Sequence, residues 1–508
     1  MTPELIYLPE PSLLFNHGQS TLDVRDGLTL FGPLDQGKPY GIRYGLIGTP
    51  DGIRWFKSWV EQIQHPMSNS PPTIARPPFP GFESVFGIPW GNRPSIEVTI
   101  RSGDLSDKIH IDDKHQRVFA AVELYANKII EMARTEEVAV DLWFVVVPDA
   151  VYKYCRPLSS VEPELRVKAG SPLTIREARQ FVDSPALFDA INADVEPYRY
   201  EVNFHNQLKA RLLEHRIVTQ VIRESTLAYK EVVRRNGMPL RDLGKLQSAI
   251  AWHLCTTAFY KSGGRPWKLN QVRDGVCYVG VVFKRDERSK GPRDACCAAQ
   301  MFLDSGDGVV FKGNVGPWYG DRAGDFHLDR AEAKSLVMKA IDSYAAKNEG
   351  KPPKELFLHG KVRFGDAEWS GFQEAAGTST RVVGVRIRDA RDIKLYRLGR
   401  NPVLRGLAYV RDDRTAFLWT RGLVPRLRTY PGREVPNSLL VDVCRGSASI
   451  ETVLKDIMGL TKLNYNACIF ADGDPVTLKF ADAVGEILTA GPIALKSDEP
   501  PLPFKHYI

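Results

Sequence analysis

Tyr278-Val279-Gly280-Val281-Val282-Phe283 is the stretch on which the fold turns. It is a short apolar run, too brief for a helix, and reads as a strand buried on both faces. A second run of the same kind, Glu355-Leu356-Phe357-Leu358-His359-Gly360, lies further along the chain. Neither run carries a carboxylate beyond its first residue. Val282 has no ligating atom, and the single imidazole of His359 cannot bridge two hard cations that want oxygen ligands.

Working outward, strands are expected at 276–285, 295–303 and 308–313, in close succession with turn residues between them. A long helix follows over Asp329–Asn348 with Asp329 as its cap. Then come a strand at 355–359, a helix at 366–376 and a strand at 381–388. Three antiparallel strands followed by helix-connected parallel ones is the RNase H-like order. Nucleases of that fold place one carboxylate on the first strand and another at the end of the fourth, and use them to hold two divalent ions. Here those places carry Val282 and His359, so recognition of nucleic acid without cutting is expected.

Upstream, residues 106–270 alternate between helix and strand. Gln116–Arg134 has apolar positions at helical spacing, and Val138–Val147 is an apolar run of strand length. A helix over His205–Glu214, a strand at Val218–Ile222 and a helix over Arg241–Tyr260 follow. This alternation predicts a doubly wound, Rossmann-like sheet, in which ligands bind beyond the carboxyl ends of the strands. Before it, Ile42–Gly48 alternates like a strand, Asp51 is a candidate cap for a helix over Gly52–Gln64, and Pro66–Pro89 reads as a proline-rich linker. The expected organisation is α/β throughout: 1–105 as an N-terminal and linker segment, 106–270 as the Rossmann-like domain, and 271–508 as the RNase H-like domain.

Composition sets the bounds. With 508 residues, 43% hydrophobic and 25% charged, the chain has room for more than one core. A net charge of +7 favours an anionic partner, though weakly. No run of 18 apolar residues suggests a membrane span, and Met1-Thr2-Pro3-Glu4 lacks the basic and apolar regions of a signal peptide. The seven cysteines show no zinc spacing, which fits a reducing, cytoplasmic setting. No GxGxxG loop follows a strand and no P-loop is present.

Four residues carry the most specific pattern: His205, Lys209, Gln220 and Lys261, the last followed by Gly263-Gly264-Arg265-Pro266-Trp267. His205 and Lys209 share a helix face at i, i+4. Two ammonium groups and an amide donor suit a dianionic phosphate, and an imidazole can stack on a base. In isolation Lys261-Ser262-Gly263-Gly264 is a helix C-terminus with a glycine stop. The ordered set resembles the guide 5′-end pocket of the MID domain of prokaryotic Argonautes, and residues 20–508 as a whole resemble the MID and PIWI domains of the short Argonautes.

That resemblance implies further roles. The C-terminal carboxylate, at Ile508, would enter the MID pocket and, with Gln220 and the guide phosphates, hold a structural Mg²⁺. Thr461, Lys462 and Asn464 would lie along the guide backbone. Asp482 matches the last place of the PIWI tetrad, a possible remnant of it, beside the degenerate positions Val282 and His359. Arginines between Arg381 and Arg428 would divide between a guide–target channel and ion pairs with Asp389, Asp392, Asp412 and Asp413. The implied partners are a small guide RNA, a complementary single-stranded DNA target, and a separate APAZ-domain effector of sirtuin-like, TIR or nuclease type. The implied setting is bacterial defence against plasmids and phages, with the chain itself not an enzyme. Two alternatives stand beside this: an RNase H-like nuclease using other residues, and a structural subunit that binds no guide.

Overall fold

In the computed structural model, residues 3–69, 73–170, 173–184, 186–286, 293–302, 308–310, 315–316, 326–430, 432, 434–492 and 502–508 are described. The chain opens with strand β1 (Glu4–Tyr7), which joins the larger of two main sheets. The smaller sheet is wholly parallel. It comprises β2 (Tyr44–Gly48), β3 (Ile96–Thr99), β4 (Leu142–Val147) and β5 (Thr219–Arg223), in the order β3-β2-β4-β5. Strands β2 and β4 are buried along their whole length, as a sheet covered by helices on both faces demands.

Those covering helices include α1 (Pro50–Gln62), α2 (Lys114–Thr135), α3 (Phe204–Leu213) and α4 (Gln247–Lys261). Each lies within a few residues of its expected span, with local corrections. The cap of α1 is Thr49, whose Oγ1 accepts from the Gly52 amide at 3.0 Å; Asp51 is already inside the helix. The strand expected from Val138 starts at Leu142, and Val138 is 49% exposed. The helix expected from Arg241 is a 3₁₀ turn at Gly244–Leu246 before α4 begins.

The expected domain boundary at residue 106 cuts this sheet. β2 and β3 lie before it, and β2 is an interior strand hydrogen-bonded to both β3 and β4. The β2–β3 pair is only two strands wide, and the parallel edge of β4 completes its sheet.

The larger sheet contains β6 (Val276–Asp286), β7 (Arg293–Phe302), β8 (Gly308–Val310), β9 (Glu355–Gly360), β10 (Arg381–Ala390), β11 (Leu407–Asp412), β12 (Thr415–Leu418), β13 (Ser438–Arg445) and β14 (Leu502–Pro503). Its order is β1-β11-β12-β13-β10-β9-β6-β7-β8-β14. Within it, β8-β7-β6-β9-β10 runs with β6, β9 and β10 parallel to one another and β7 antiparallel to both β6 and β8, the RNase H-like arrangement. The expected strand ends at 303 and 311–313 fall outside the described residues.

Alternation along β6 and β9 decides what each face meets. Cys277, Val279, Val281, Leu356 and Leu358 pack against α5 (Arg330–Lys347) and α6 (Asp366–Ala376). Tyr278, Val282 and Phe357 belong to the main core on the opposite face, which includes α7 (Ile450–Leu460) and α8 (Val476–Leu488). Gly280 lies on that second face. A Cβ there would come within 2.0 Å of the Thr477 carbonyl oxygen, so only glycine lets the start of α8 lie this close to the sheet. The main core is continuous with residues of the smaller sheet, such as Tyr44 and Phe144, so the two sheets share one apolar interior.

Candidate nucleic-acid 5′-end pocket

His205, Lys209, Gln220, Lys261 and Ile508 all line one cavity of about 410 Å³ at the seam between the two sheets. Helix α3, capped by the Asn203 side chain, presents His205 and Lys209 one turn apart. Gln220 sits near the start of β5, the edge strand, and Lys261 is the last residue of α4. The far wall comes from the other lobe, through Asn464, Asn466, Lys479, Tyr507 and Ile508. The pocket therefore opens at the amino end of β5. The expectation of a site beyond the carboxyl ends of the strands does not describe it, because its cations come from helices and the second lobe.

The hydrogen bonds tie the pocket together. Lys261 Nζ donates to Gln220 Oε1 at 2.7 Å and to the Thr219 carbonyl at 2.9 Å. Lys209 Nζ reaches the same carbonyl at 3.5 Å and donates to the main-chain oxygen of Ile508. Both lysines are about 2% exposed or less. Burial pushes Lys209 down to about 7 and Lys261 well below its ordinary value, with Lys209 adding to the push on Lys261. Two buried lysines sharing a carbonyl form a site whose charged form an incoming anion stabilises. The His205 ring meets solvent at the mouth. Burial against the cavity wall, then Lys209, lowers its pKa to about 4, which favours the neutral ring. Sequence reasoning missed Asn466, Lys479 and Tyr507, which no periodicity links to α3.

Without guide phosphates, the protein groups at the cavity do not complete the oxygen shell of a Mg²⁺. The oxygens expected to ligate it, on Gln220 and Ile508, already accept from Lys261 and Lys209. A six-coordinate hard cation wants oxygen ligands, not ammonium neighbours. No group of three or more His, Cys, Asp or Glu among the described residues is arranged to hold a metal.

Thr461 and Lys462 are not placed for a guide backbone. Thr461 is fully buried, donating to the Met458 carbonyl at 2.6 Å and accepting from Arg405 at 2.7 Å. Lys462 is 2% exposed and pairs with Glu10 at 3.1 Å. Both residues follow α7 directly, where the chain turns inward. Asn464 does line the cavity, and it donates to Asp472 at 2.7 Å.

Several of the arginines are held in ion pairs. Arg405 is 4% exposed and binds Glu10 at 2.9 Å. Arg386 pairs with Asp442 at 3.1 Å, and Arg381, Arg421 and Arg426 pair with Glu355, Asp474 and Asp26. Of the acidic partners expected from sequence, Asp412 has its ion pair with Arg411, at 3.1 Å.

At the RNase H-like centre, Val282 and His359 face α8 from adjacent strands. His359 lies in register with Gly280, is 1% exposed, and its Nδ1 is 2.9 Å from Thr477 Oγ1. Burial pushes its pKa to about 3, so the ring is neutral. Lys284 and Lys361 stand two residues beyond Val282 and His359, on the same face. Asp482 on α8 accepts from Lys361 and lies 3.7 Å from Lys284, whose Nζ is also 3.5 Å from Glu486. Asp482 is thus ion-paired with two lysines.

No protein-family model matches the chain, and no curated protein matches it in sequence. Solved structures do. Clostridium butyricum Argonaute, bound to a guide DNA and a 19-mer target DNA, superposes with a TM-score of 0.63 at 15% identity, covering 97% of this chain and 54% of that one. Drosophila Piwi gives 0.57 at 13% identity, covering 99% and 56%. A. aeolicus Argonaute gives 0.51 at 14% identity, covering 98% and 54%. The chain carries an Argonaute-like α/β fold and spans about half the length of each of these proteins.

Proposed function

We propose that this chain holds the phosphorylated 5′ end of a guide strand between its two lobes and recognises a complementary strand by base pairing, without cutting it. The observation that carries the reading is the convergence of His205, Lys209, Gln220 and Lys261 on one buried, cationic cavity. The lysines supply charge for the phosphate, the Gln220 amide orients Lys261, and the neutral His205 ring offers a face to the first base. Sequence specificity resides in the guide, while the protein contributes backbone contacts and shape.

Non-cleavage is supported by the chemistry at β6 and β9. Two-metal hydrolysis needs carboxylates at adjacent strand ends. Val282 and His359 offer none, and Asp482 is held by Lys284 and Lys361. The finer reading follows the family resemblance: a small RNA guide, a single-stranded DNA target, and activation of an APAZ-domain effector that carries the chemistry in a bacterial defence system. No helix among the described residues is long and apolar enough to cross a membrane. The test is to purify the chain with the product of its neighbouring gene, sequence the bound oligonucleotides, and compare 5′-phosphorylated with 5′-hydroxyl guides. Short oligonucleotides with a 5′-phosphate requirement support the reading, and nucleic-acid-free protein indifferent to the 5′ group overturns it.

A further inference from the structure

We propose that the carboxyl end of the smaller sheet carries a second phosphate-binding surface, formed by Arg156, Arg223 and Arg241 around Tyr152, which takes backbone phosphates of a nucleic-acid strand. Arg223 is the last residue of β5, and Tyr152 lies on the short helix Asp149–Tyr154 that follows β4. Adjacent parallel strands therefore deliver these side chains to one end of the sheet, where open α/β folds bind ligands. The first pocket lies at the other end of the same strand. Gln220 and Arg223 are about 10 Å apart along β5.

The charges there are not balanced internally. The Arg156 and Arg223 guanidiniums lie over the Tyr152 ring, 4.0 and 4.2 Å from its centroid. Arg241 donates to the neutral hydroxyl of Thr226 at 2.8 Å. Asp149 is 3.7 Å from Arg223, and its oxygens already accept from the Ser225 amide at 3.0 Å and hydroxyl at 2.7 Å. No carboxylate forms an ion pair with Arg156 or Arg241 among the described residues. Glu224, a further acid nearby, accepts from Thr49 Oγ1 at 2.5 Å, and burial raises its pKa. Burial, then Arg223, lowers the pKa of Arg241.

Two guanidiniums over one aromatic ring, with a third held only by a neutral hydroxyl and one carboxylate beside Arg223, fit an external anion. The ligand is read through its phosphates. A run of backbone phosphates matches three separate cations spread across an open surface better than one compact anion does. The inference rests on the guide-binding reading only for the source of those phosphates.

The test is the salt dependence of binding of a 5′-hydroxyl single-stranded oligonucleotide, which bypasses the first pocket. Each phosphate contact contributes about 0.7 to the log–log slope for a single strand. The triple variant Arg156→Gln, Arg223→Gln, Arg241→Gln should lower the slope by about 2. The triple lysine variant should keep it. Arg156→Gln alone, at an exposed position, should lower it by about 0.7, which keeps the test readable if the triple variant fails to fold. Unchanged slopes in folded variants overturn the proposal. Inorganic tripolyphosphate is the second probe. If the glutamine changes abolish its binding but leave the oligonucleotide slope intact, the ligand is a small polyphosphate and the nucleic-acid assignment fails. The 5′-phosphate requirement is measured on the same samples, so failure of the first pocket is seen separately.

Discussion

The ammonium of Lys209 donates to the main-chain oxygen of Ile508, 299 positions away in the chain. This bond closes the candidate pocket. It joins a helix of the smaller sheet to the last turn of the chain, which packs through Phe504 against Phe480 of α8 at 4.0 Å between ring centroids. The candidate pocket is therefore built by both lobes together.

Replacing Lys209 and Lys261 together with alanine removes two charge-assisted contacts, each worth roughly 1.5–3 kcal/mol. Affinity for a 5′-phosphorylated guide should fall by at least about tenfold. Affinity for the 5′-hydroxyl form should change much less, so the ratio between the two shrinks. Filter binding with both guides checks this, and an unchanged ratio removes these lysines from the site.

Binding should also take up a proton. Lys209 is pushed by burial to about 7 from an ordinary value of 10.5. In the free protein the unfolded chain binds more protons than the folded one between those values. Stability therefore rises with pH across that window. Guide binding has the opposite sign, because the phosphate favours the charged lysine. Affinity should fall as pH rises above about 7, by at most about tenfold per pH unit for one proton. Below about pH 6 the phosphate itself becomes protonated. Calorimetry near pH 8 in buffers of different ionisation enthalpy should show net proton uptake, and zero uptake contradicts the assignment.

Glu10 holds the core of the larger lobe. It binds Arg405 at 2.9 Å and Lys462 at 3.1 Å, both cations being nearly inaccessible. Glu10→Ala strands two buried charges and should cost about 3–5 kcal/mol. Burial tends to raise the Glu10 pKa, but Arg405 and Lys462 prevail and lower it. Its contribution is thus present above the unfolded carboxyl value and is lost as pH falls through the folded one. Urea denaturation at neutral and acidic pH reads both effects. A variant as stable as the natural chain would show that Glu10 is dispensable.

Val282→Asp with His359→Asp should not create a nuclease. Both sites are nearly inaccessible, so an added carboxylate is desolvated, and Lys284 and Lys361 remain beside Asp482. The double variant should melt lower than the natural chain and leave a paired target intact. Metal-dependent cleavage by it would mean that the lysines yield to cations.

What was legible in the sequence was the part with local grammar. The apolar runs at 276–283 and 355–360 gave the central parallel strands, and helical spacing placed α2 and α3. The four pocket residues were legible only as an ordered set that resembles a known family's pocket; singly, each reads as an ordinary helix or strand residue. Other features were set by tertiary partners that leave no local trace. β2 reads as an isolated strand until β4 is placed beside it. Thr461 and Lys462 look like surface polar residues, yet Arg405 and Glu10, distant in sequence, make their burial tolerable. Lys284 and Lys361 are unremarkable until adjacent strands bring both to Asp482.

The central claim is recognition without cutting, and a single measurement addresses it. The natural chain, loaded with a 5′-phosphorylated guide, is incubated with an end-labelled complementary strand in Mg²⁺ or Mn²⁺. Retention and strand length are then read from the same sample. The account predicts a target that is retained and intact. Cleavage at a fixed position set by the guide, and lost in Asp482→Ala, would contradict it.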